Sequence, residues 1–480
     1  MNPVAAFPHV FFLGIGGIGM SALARWFKAN GHSVSGYDKT VTPLTEALAA
    51  EGIAIHYEDA VANIPAEVRQ NRAQVLVILT PAIPQNHQEW AWLREQGYDI
   101  RKRSQVLGLL TQGRPTIAVA GTHGKTTTSS MVAHLLHHAG VPCAAFLGGI
   151  AVNLGSNLLL PPATAPAETT PVVVEADEYD RSFLTLFPTV AIVTSTDADH
   201  LDIYGHKDAL VDSFRQFVGQ IQPGGTLIIN HTADPSVAAA APVGVRVIRY
   251  GLSPEQGPEL YADRITAQGH TFRFALHGPH GDVSALELAV PGHHNVENML
   301  AAACVAQAYG LTPEQLRAAV AAYRGVKRRF EFIVTAGSPE QPNVYVDDYA
   351  HHPREIEAFL RSLRTLYPGR RLRVVFQPHL FSRTRDFAPG FAESLSIADE
   401  VVLLAIYPAR ELPMPGVTSE LILSQITATE KSLQTKEEIL RNAETNANFD
   451  VLATVGAGDI DQLVPRLKNI LNIRWNGAEA

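Results

Sequence analysis

Apolar and polar positions fall in blocks along this chain, and the blocks read in turn as strands and helices. His9–Leu13 (HVFFL) is a short apolar run ending in a glycine cluster, and the residues from Met20 to Asn30 follow helical spacing. Gly31 is placed to stop that helix, and Ser33–Asp38 (SVSGYD) forms a second strand. Val75–Leu79 (VLVIL) is apolar throughout, as expected of a strand covered on both faces. The pattern restarts near residue 112. Thr116–Ala120 (TIAVA), Val172–Glu178 (VVVEADE), Val190–Thr196 (VAIVTST) and Thr226–Asn230 (TLIIN) read as buried strands, with a Pro/Thr/Ala surface loop at 161–171. From about 245 to 290 the period changes to two, in TFRFAL and SALELAV, which predicts antiparallel strands with one wet face. An alanine-rich helix is expected from Asn295 to about Tyr309. The last third, from Arg324, carries NVYVDDY, RLRVVFQ, EVVLLAI and VLATVG as strands between helical stretches. The expectation is an α/β protein with parallel sheets and domains at 1–112, 113–324 and 325–480.

A length of 480 residues, at roughly 150 per domain, agrees with three domains. Hydrophobic residues make up 46% and charged residues 18%, the balance of a globular chain. Lys and Arg total 38 against 47 Asp and Glu, so the net charge of −9 argues against a nucleic-acid partner and leaves anion binding to local features. Cys143 and Cys304 alone cannot build a disulfide framework or a four-thiolate metal site, and two reduced thiols suit a cytoplasmic protein. The uncharged stretch Val4–Ala24 lacks the basic start of a signal peptide and is broken by glycines, so it reads as strand and turn. No apolar run reaches the ~18 residues of a membrane span, and no membrane partner is expected.

Two loops are suited to phosphate. Gly14, Gly16, Gly17 and Gly19 form a G-x-G-x-x-G between a strand and a helix, where backbone amides approach a diphosphate. Asp38 ends the next strand, placed to accept from a ribose hydroxyl. The second loop is Gly121, Thr122, His123, Gly124, Lys125, Thr126 and Thr127. Its lysine reaches β- and γ-phosphates and the Thr126 hydroxyl reaches Mg²⁺, although Val119 stands where the usual first glycine would fall. A dehydrogenase using the first loop for a nicotinamide would leave the second without work. ATP on the second loop and a nucleotide-diphosphate substrate on the first account for both.

Carboxylates gather at strand exits. Glu175 is placed beside Thr126 to complete a Mg²⁺ site, with Asp177 and Glu178 as alternatives. His200, in the acidic run 197–202, is a further candidate for the metal. Asn295 and Asn298 open a helix, where their amides suit either an adenine edge or a helix cap. Asp347, Asp348, His351 and His352 follow one C-terminal strand; His379, Arg383 and Arg385 follow another. Arginine forks suit carboxylate or phosphate oxygens, and for Arg385 a surface ion pair is an equal alternative.

These segments, GIGGIGMSALA, GTHGKTTT, EADEYDRSFL, DADHLDIYG, HHNVENMLAA, GVKRRFE, DDYAHHPREI, FQPHLFSRTRDF and VGAGDI, occur in order from residue 14 to 460. Together they resemble the Mur ligase family, in its alanine-adding branch. The resemblance implies an N-terminal Rossmann-like domain for a UDP-sugar, a central P-loop ATPase-like domain for ATP and Mg²⁺, and a C-terminal Rossmann-like domain closing over the site. It implies that ATP phosphorylates the lactyl carboxylate of UDP-N-acetylmuramic acid and that L-alanine attacks the acyl phosphate, in a monomer or homodimer. It assigns Lys125, Thr126, Glu175 and His200 to phosphate and metal, Asn295 to adenine and Asp348 to the ATP ribose region. It assigns His351, His379 and Arg383 to the amino acid and Arg329 to phosphate sensing. Arg215 stands where related ligases carry a carbamylated lysine, in agreement with the alanine-adding branch. Leu380-Phe381 replaces an Arg-Tyr pair common in that branch, and Tyr179 is shared with the murein-peptide ligases, the alternative reading.

Overall fold

The computed structural model describes residues 4, 6–198, 201–268, 271–338, 341–409, 411–445 and 448–476. The chain divides into two compact units, the first of Met1–Asp263, Ala275–Leu286 and Glu297–Tyr323, the second of Arg264–Phe274, Glu287–Val296 and Arg324–Ala480.

The first unit opens with a five-stranded sheet of β1 (His9–Leu13), β2 (Ser33–Tyr37), β3 (Ala54–His56), β4 (Val75–Leu79) and β5 (Asp99–Lys102), in the order β3-β2-β1-β4-β5. All its pairs are parallel, as the apolar runs predict. The helix after β1 spans Ile18–Ala29, two residues earlier than its spacing suggests, because Gly17 caps it without a side chain. Gly31 stops it in the left-handed conformation (φ +86°), which glycine adopts without steric cost. β2 ends at Tyr37, whose carbonyl accepts from the Gly14 and Ile15 amides at 2.8 and 3.0 Å and so holds the glycine loop in place.

The second sheet contains β6 (Thr116–Ala120), β7 (Ala144–Ala151), β8 (Ser156–Leu159), β9 (Val172–Glu175), β10 (Val190–Val193), β11 (Thr226–Asn230), β12 (Arg246–Gly251), β13 (Leu260–Gln268), β14 (Thr271–His277) and β15 (Val283–Leu288). Their order is β15-β14-β13-β12-β11-β10-β6-β9-β7-β8. The hairpin of β7 and β8 is missed by the sequence pattern, since its glycines and polar residues blur the alternation. β9 and β10 stop about three residues short of the apolar pattern. Beyond them the chain turns, with Asp177 Oδ1 accepting from the Tyr179 amide at 3.0 Å. In β14 Phe272, Phe274 and Leu276 are buried and Arg273 is exposed, the expected single wet face.

The second unit holds β16 (Glu331–Ser338), β17 (Gln341–Asp348), β18 (Leu372–Phe376), β19 (Glu400–Leu403), β20 (Glu430–Leu433) and β21 (Val451–Val455), ordered β16-β17-β21-β18-β19-β20. Only the edge pair of β16 and β17 is antiparallel. The helix Pro353–Leu366 follows β17, started by a capping box of His352 and Glu355. Such parallel sheets expose their strand exits along one edge, where the functional side chains collect.

Candidate active site

The glycine loop borders a cavity of about 250 Å³ whose walls include Gly17, Gly19, Thr80, Arg103, Glu175 and Asp177. It therefore joins the N-terminal sheet to the exit of β9 within one unit. Asp38 is turned onto the loop: its Oδ2 accepts from the Gly16 amide at 2.7 Å and its Oδ1 from Thr40 at 3.1 Å. A Cβ on Gly16 would stand 2.8 Å from that carboxylate, so Asp38 and the glycine fit only together. The clasp behind the loop is Asn157 on β8, fully buried, which sequence reasoning missed. Its Nδ2 donates to the Ile18 carbonyl at 2.5 Å and its Oδ1 accepts from Arg25 at 2.6 Å. No motif surrounds Asn157; only the pairing of β7 with β8 brings it there.

The second loop enters the helix Lys125–His138 through Gly124, at φ +81°. A Cβ there would meet Asn298 Oδ1 at 2.7 Å, so Asn298 packs against this loop. The exit of β10 clasps the same loop: Ser195 Oγ lies 2.8 Å from Thr122 Oγ1 and accepts from the His123 amide at 2.9 Å. Thr194 donates to the His123 carbonyl. Lys125 Nζ lies 2.8 Å from the buried Glu178 carboxylate and donates to the Gly121 carbonyl at 2.7 Å. Burial alone would depress the lysine, but Glu178, then Asp177 and Glu175, hold it firmly protonated. Glu178 is thus the lysine's partner, while Glu175 faces the cavity.

Thr126 and Thr127 are buried in the helix's first turn. The Glu175 carboxylate lies directly over Gly148, where any Cβ would collide with it. His200, the third residue expected at the metal, lies outside the described residues. Among the described residues no three His, Cys, Asp or Glu side chains stand together as a metal site. A threonine hydroxyl and one carboxylate still suit Mg²⁺, which keeps several waters and needs few protein ligands.

In the second unit Asp348 accepts from the Phe330 and Ala350 amides, each at 2.7 Å. Burial raises its pKa to about 6 against the opposing pull of Arg329. Arg329 lies over the Tyr349 ring at 5.1 Å. His351 Nδ1 lies 3.0 Å from the Tyr349 carbonyl, so Nδ1 carries a proton, and its ring is 6.2 Å from that of His379. His379 stacks on Tyr407 at 5.9 Å. Arg383 is buried early in the helix Phe381–Leu395, whereas exposed Arg385 pairs with Asp386 at 2.7 Å. Leu380, before that helix, has φ +69°, a strained backbone for a residue with a Cβ. Asn295 donates to the Pro291 carbonyl at 2.7 Å, which commits one of its amide hydrogens. Beside it His294, missed in the sequence, is lowered to about 4 by burial and by His293, so its ring is neutral at neutral pH. Among the described residues no helix is long and apolar enough to cross a membrane.

A glycine loop and a lysine-bearing loop approach the exit of one strand, through the cavity shared with Glu175 and Asp177 and through the Lys125–Glu178 pair, an arrangement suited to an ATP-dependent ligase. The Mur ligase catalytic-domain model matches residues 9–114, the Mur ligase middle domain residues 119–306 and the Mur ligase glutamate ligase domain residues 328–458. The chain belongs to the Mur ligase family. It is 46% identical to the UDP-N-acetylmuramate–L-alanine ligase of Cytophaga hutchinsonii, over 98% of each chain. It is 48% identical to the enzyme of that name from Phocaeicola vulgatus, over 96% of this chain and 98% of the relative. Among solved structures it resembles the UDP-N-acetylmuramate–alanine ligase of Thermotoga maritima, with TM-score 0.79 and 27% identity over 98% and 100% of the two chains. A murein peptide ligase from Psychrobacter arcticus superposes with TM-score 0.71 and 26% identity over 98% and 99%.

Proposed function

We propose that this chain joins L-alanine to the lactyl carboxylate of UDP-N-acetylmuramic acid, converting ATP to ADP and phosphate, in the cytoplasm. The observation that carries the reading is the segment Glu175–Glu178. Glu178 holds the lysine of one loop, while Glu175 and Asp177 wall the cavity opened by the other. Two phosphorylated ligands are thereby brought to one strand exit. The near-full-length likeness to alanine ligases supplies the identity of the acceptor.

Carboxylate and amine do not condense favourably in water, so the carboxylate must first acquire a leaving group. A lactyl oxygen attacks the γ-phosphorus and ADP departs. The alanine amine then attacks the acyl carbon, phosphate leaves and the amine loses a proton. Lys125 stabilises the negative charge on the transferred phosphoryl group. Residues Gly121–Thr127 cradle the ATP phosphates, with Asn295 towards adenine and Asp348 towards the ribose. Gly14, Gly16, Gly17, Gly19 and Asp38 form the UDP-sugar loop. Thr126, Glu175 and His200 would hold Mg²⁺, and the missing side chain of Gly148 gives the Glu175 carboxylate the space it occupies. Bound there, the ion neutralises phosphate charge. His351, His379 and Arg383 serve the amino acid, and Arg329 senses phosphate. The working parts divide near residues 112 and 325.

The test is ADP release with Mg²⁺, ATP and UDP-N-acetylmuramic acid, comparing L-alanine, glycine, L-serine and a murein tripeptide. Release with L-alanine and little with the tripeptide is expected; release mainly with the tripeptide makes this a recycling ligase. Lys125→Ala should abolish ADP formation and leave UDP-sugar binding by calorimetry within about threefold, a shift well under the 1.4 kcal/mol of a tenfold change. Equal loss of both in a folded variant would undo the assignment of the two loops to different ligands.

A further inference from the structure

The cavity beside the glycine loop contains a cation that neither loop motif announces. Arg103 opens the helix Arg103–Thr111, and its guanidinium lies against Gly19. A Cβ on Gly19 would stand 2.8 Å from Nη1, 3.0 Å from Cδ and 3.2 Å from Cζ. Gly19 has no left-handed backbone, and what the last glycine of the motif provides here is room for this side chain. Arg103 also faces Asp177, at 3.6 Å, within ion-pair range but beyond a hydrogen bond. Among the described residues its guanidinium makes that one ion pair and no hydrogen bond. Five N–H donors in a planar fork thus line a cavity that Glu175 and Asp177 also line.

We propose that Arg103 binds the diphosphate of the UDP-sugar, and that Asp177 is the carboxylate with which the diphosphate competes for it. This deepens the ligase reading and rests on it. The packing against Gly19 places the fork on the loop that approaches the diphosphate, whereas the reacting carboxylate must reach the ATP loop around Lys125. A diphosphate offers paired oxygens that match the fork in two-point contact, and it carries more charge than the single carboxylate at 3.6 Å. Arg103 is therefore a substrate-binding residue, and its removal should weaken every ligand that carries the UDP diphosphate.

Calorimetry on the full chain with UDP, UDP-N-acetylglucosamine and UDP-N-acetylmuramic acid tests this. Arg103→Gln should weaken all three alike by about tenfold or more, the scale of a lost charge-assisted contact. Arg103→Lys should recover part of the loss, Asp177→Asn should tighten binding, and the KM for ATP should hold in Arg103→Gln. Unchanged binding in folded Arg103→Gln overturns the assignment and leaves the ligase reading standing. Loss confined to UDP-N-acetylmuramic acid also overturns it, because the arginine would then read the lactyl group. Should Arg103→Gln not fold, Arg103→Lys binding as tightly as the parent, with no tightening in Asp177→Asn, has the same force. A parent chain that binds none of the three ligands removes the ligase reading itself.

Discussion

Single residues differ in how far the sequence alone could place them. Lys125 and Thr126 are legible because their motif fixes a backbone shape, and the structure sets them at the start of a helix after a left-handed glycine. Asp38 is legible as a loop-facing acid, but its tie to the Gly16 amide depends on a contact between strands that spacing does not encode. Glu178 looked interchangeable with Glu175 in the run EADE; only the turn after β9 separates the lysine's partner from the cavity carboxylate. Arg103 and Asn157 carry no local signature at all, since each gains its meaning from a distant element. Glu297, beside Asn298 in the helix His293–Ala308, allows a test of burial. Desolvation raises its pKa from 4.5 to about 6, opposed by Asn230. A carboxyl group with a raised folded pKa costs stability once it ionises, so the cost grows from about pH 4.5 upward and is complete above about pH 7. Glu297→Gln should therefore stabilise the chain by about 1–2 kcal/mol at pH 8 and by almost nothing at pH 4, as read from denaturant melts at the two values.

Elements were the best-read level, and their ends the worst. Buried parallel strands announce themselves because every or nearly every position is apolar, as in β4 and, after Thr116, β6. The β7–β8 hairpin did not, and it is the element that brings Asn157 to the glycine-loop helix. β9 and β10 end early because the acidic and hydroxyl residues beyond them bond to loops rather than to a neighbouring strand. The turn into the helix Lys125–His138 shows what an element's start can require. At Gly124 a side chain would meet both an unfavourable φ and Asn298. Gly124→Ala should cost about 1–3 kcal/mol and lower ADP formation more than UDP-sugar affinity, because the strain falls on one loop only. A variant as stable and active as the parent would mean that Asn298 moves aside freely.

At the scale of the whole molecule, three sheets make two compact units, since the N-terminal sheet and most of the central one share a unit. Length and pattern predict three domains; the buried clasp of Asn157, Ile18 and Arg25 ties the first two sheets into one compact unit. Scanning calorimetry should accordingly resolve two transitions and not three. Asn157→Ala should lower the one belonging to the first unit by several degrees, through loss of a buried amide's bonds, and leave the other in place. Three separate transitions in the parent would show that the clasp does not couple the sheets. The ion pair of Lys125 with Glu178 has a consequence for the life of such an enzyme between turnovers. Its most potent positive charge is already answered from within, so inorganic phosphate drifting past meets a neutralised loop and gains little by stopping. ATP, reaching many loop amides at once, can win the lysine by exchange. On the ligase reading, weak inhibition by the phosphate product is the expected result.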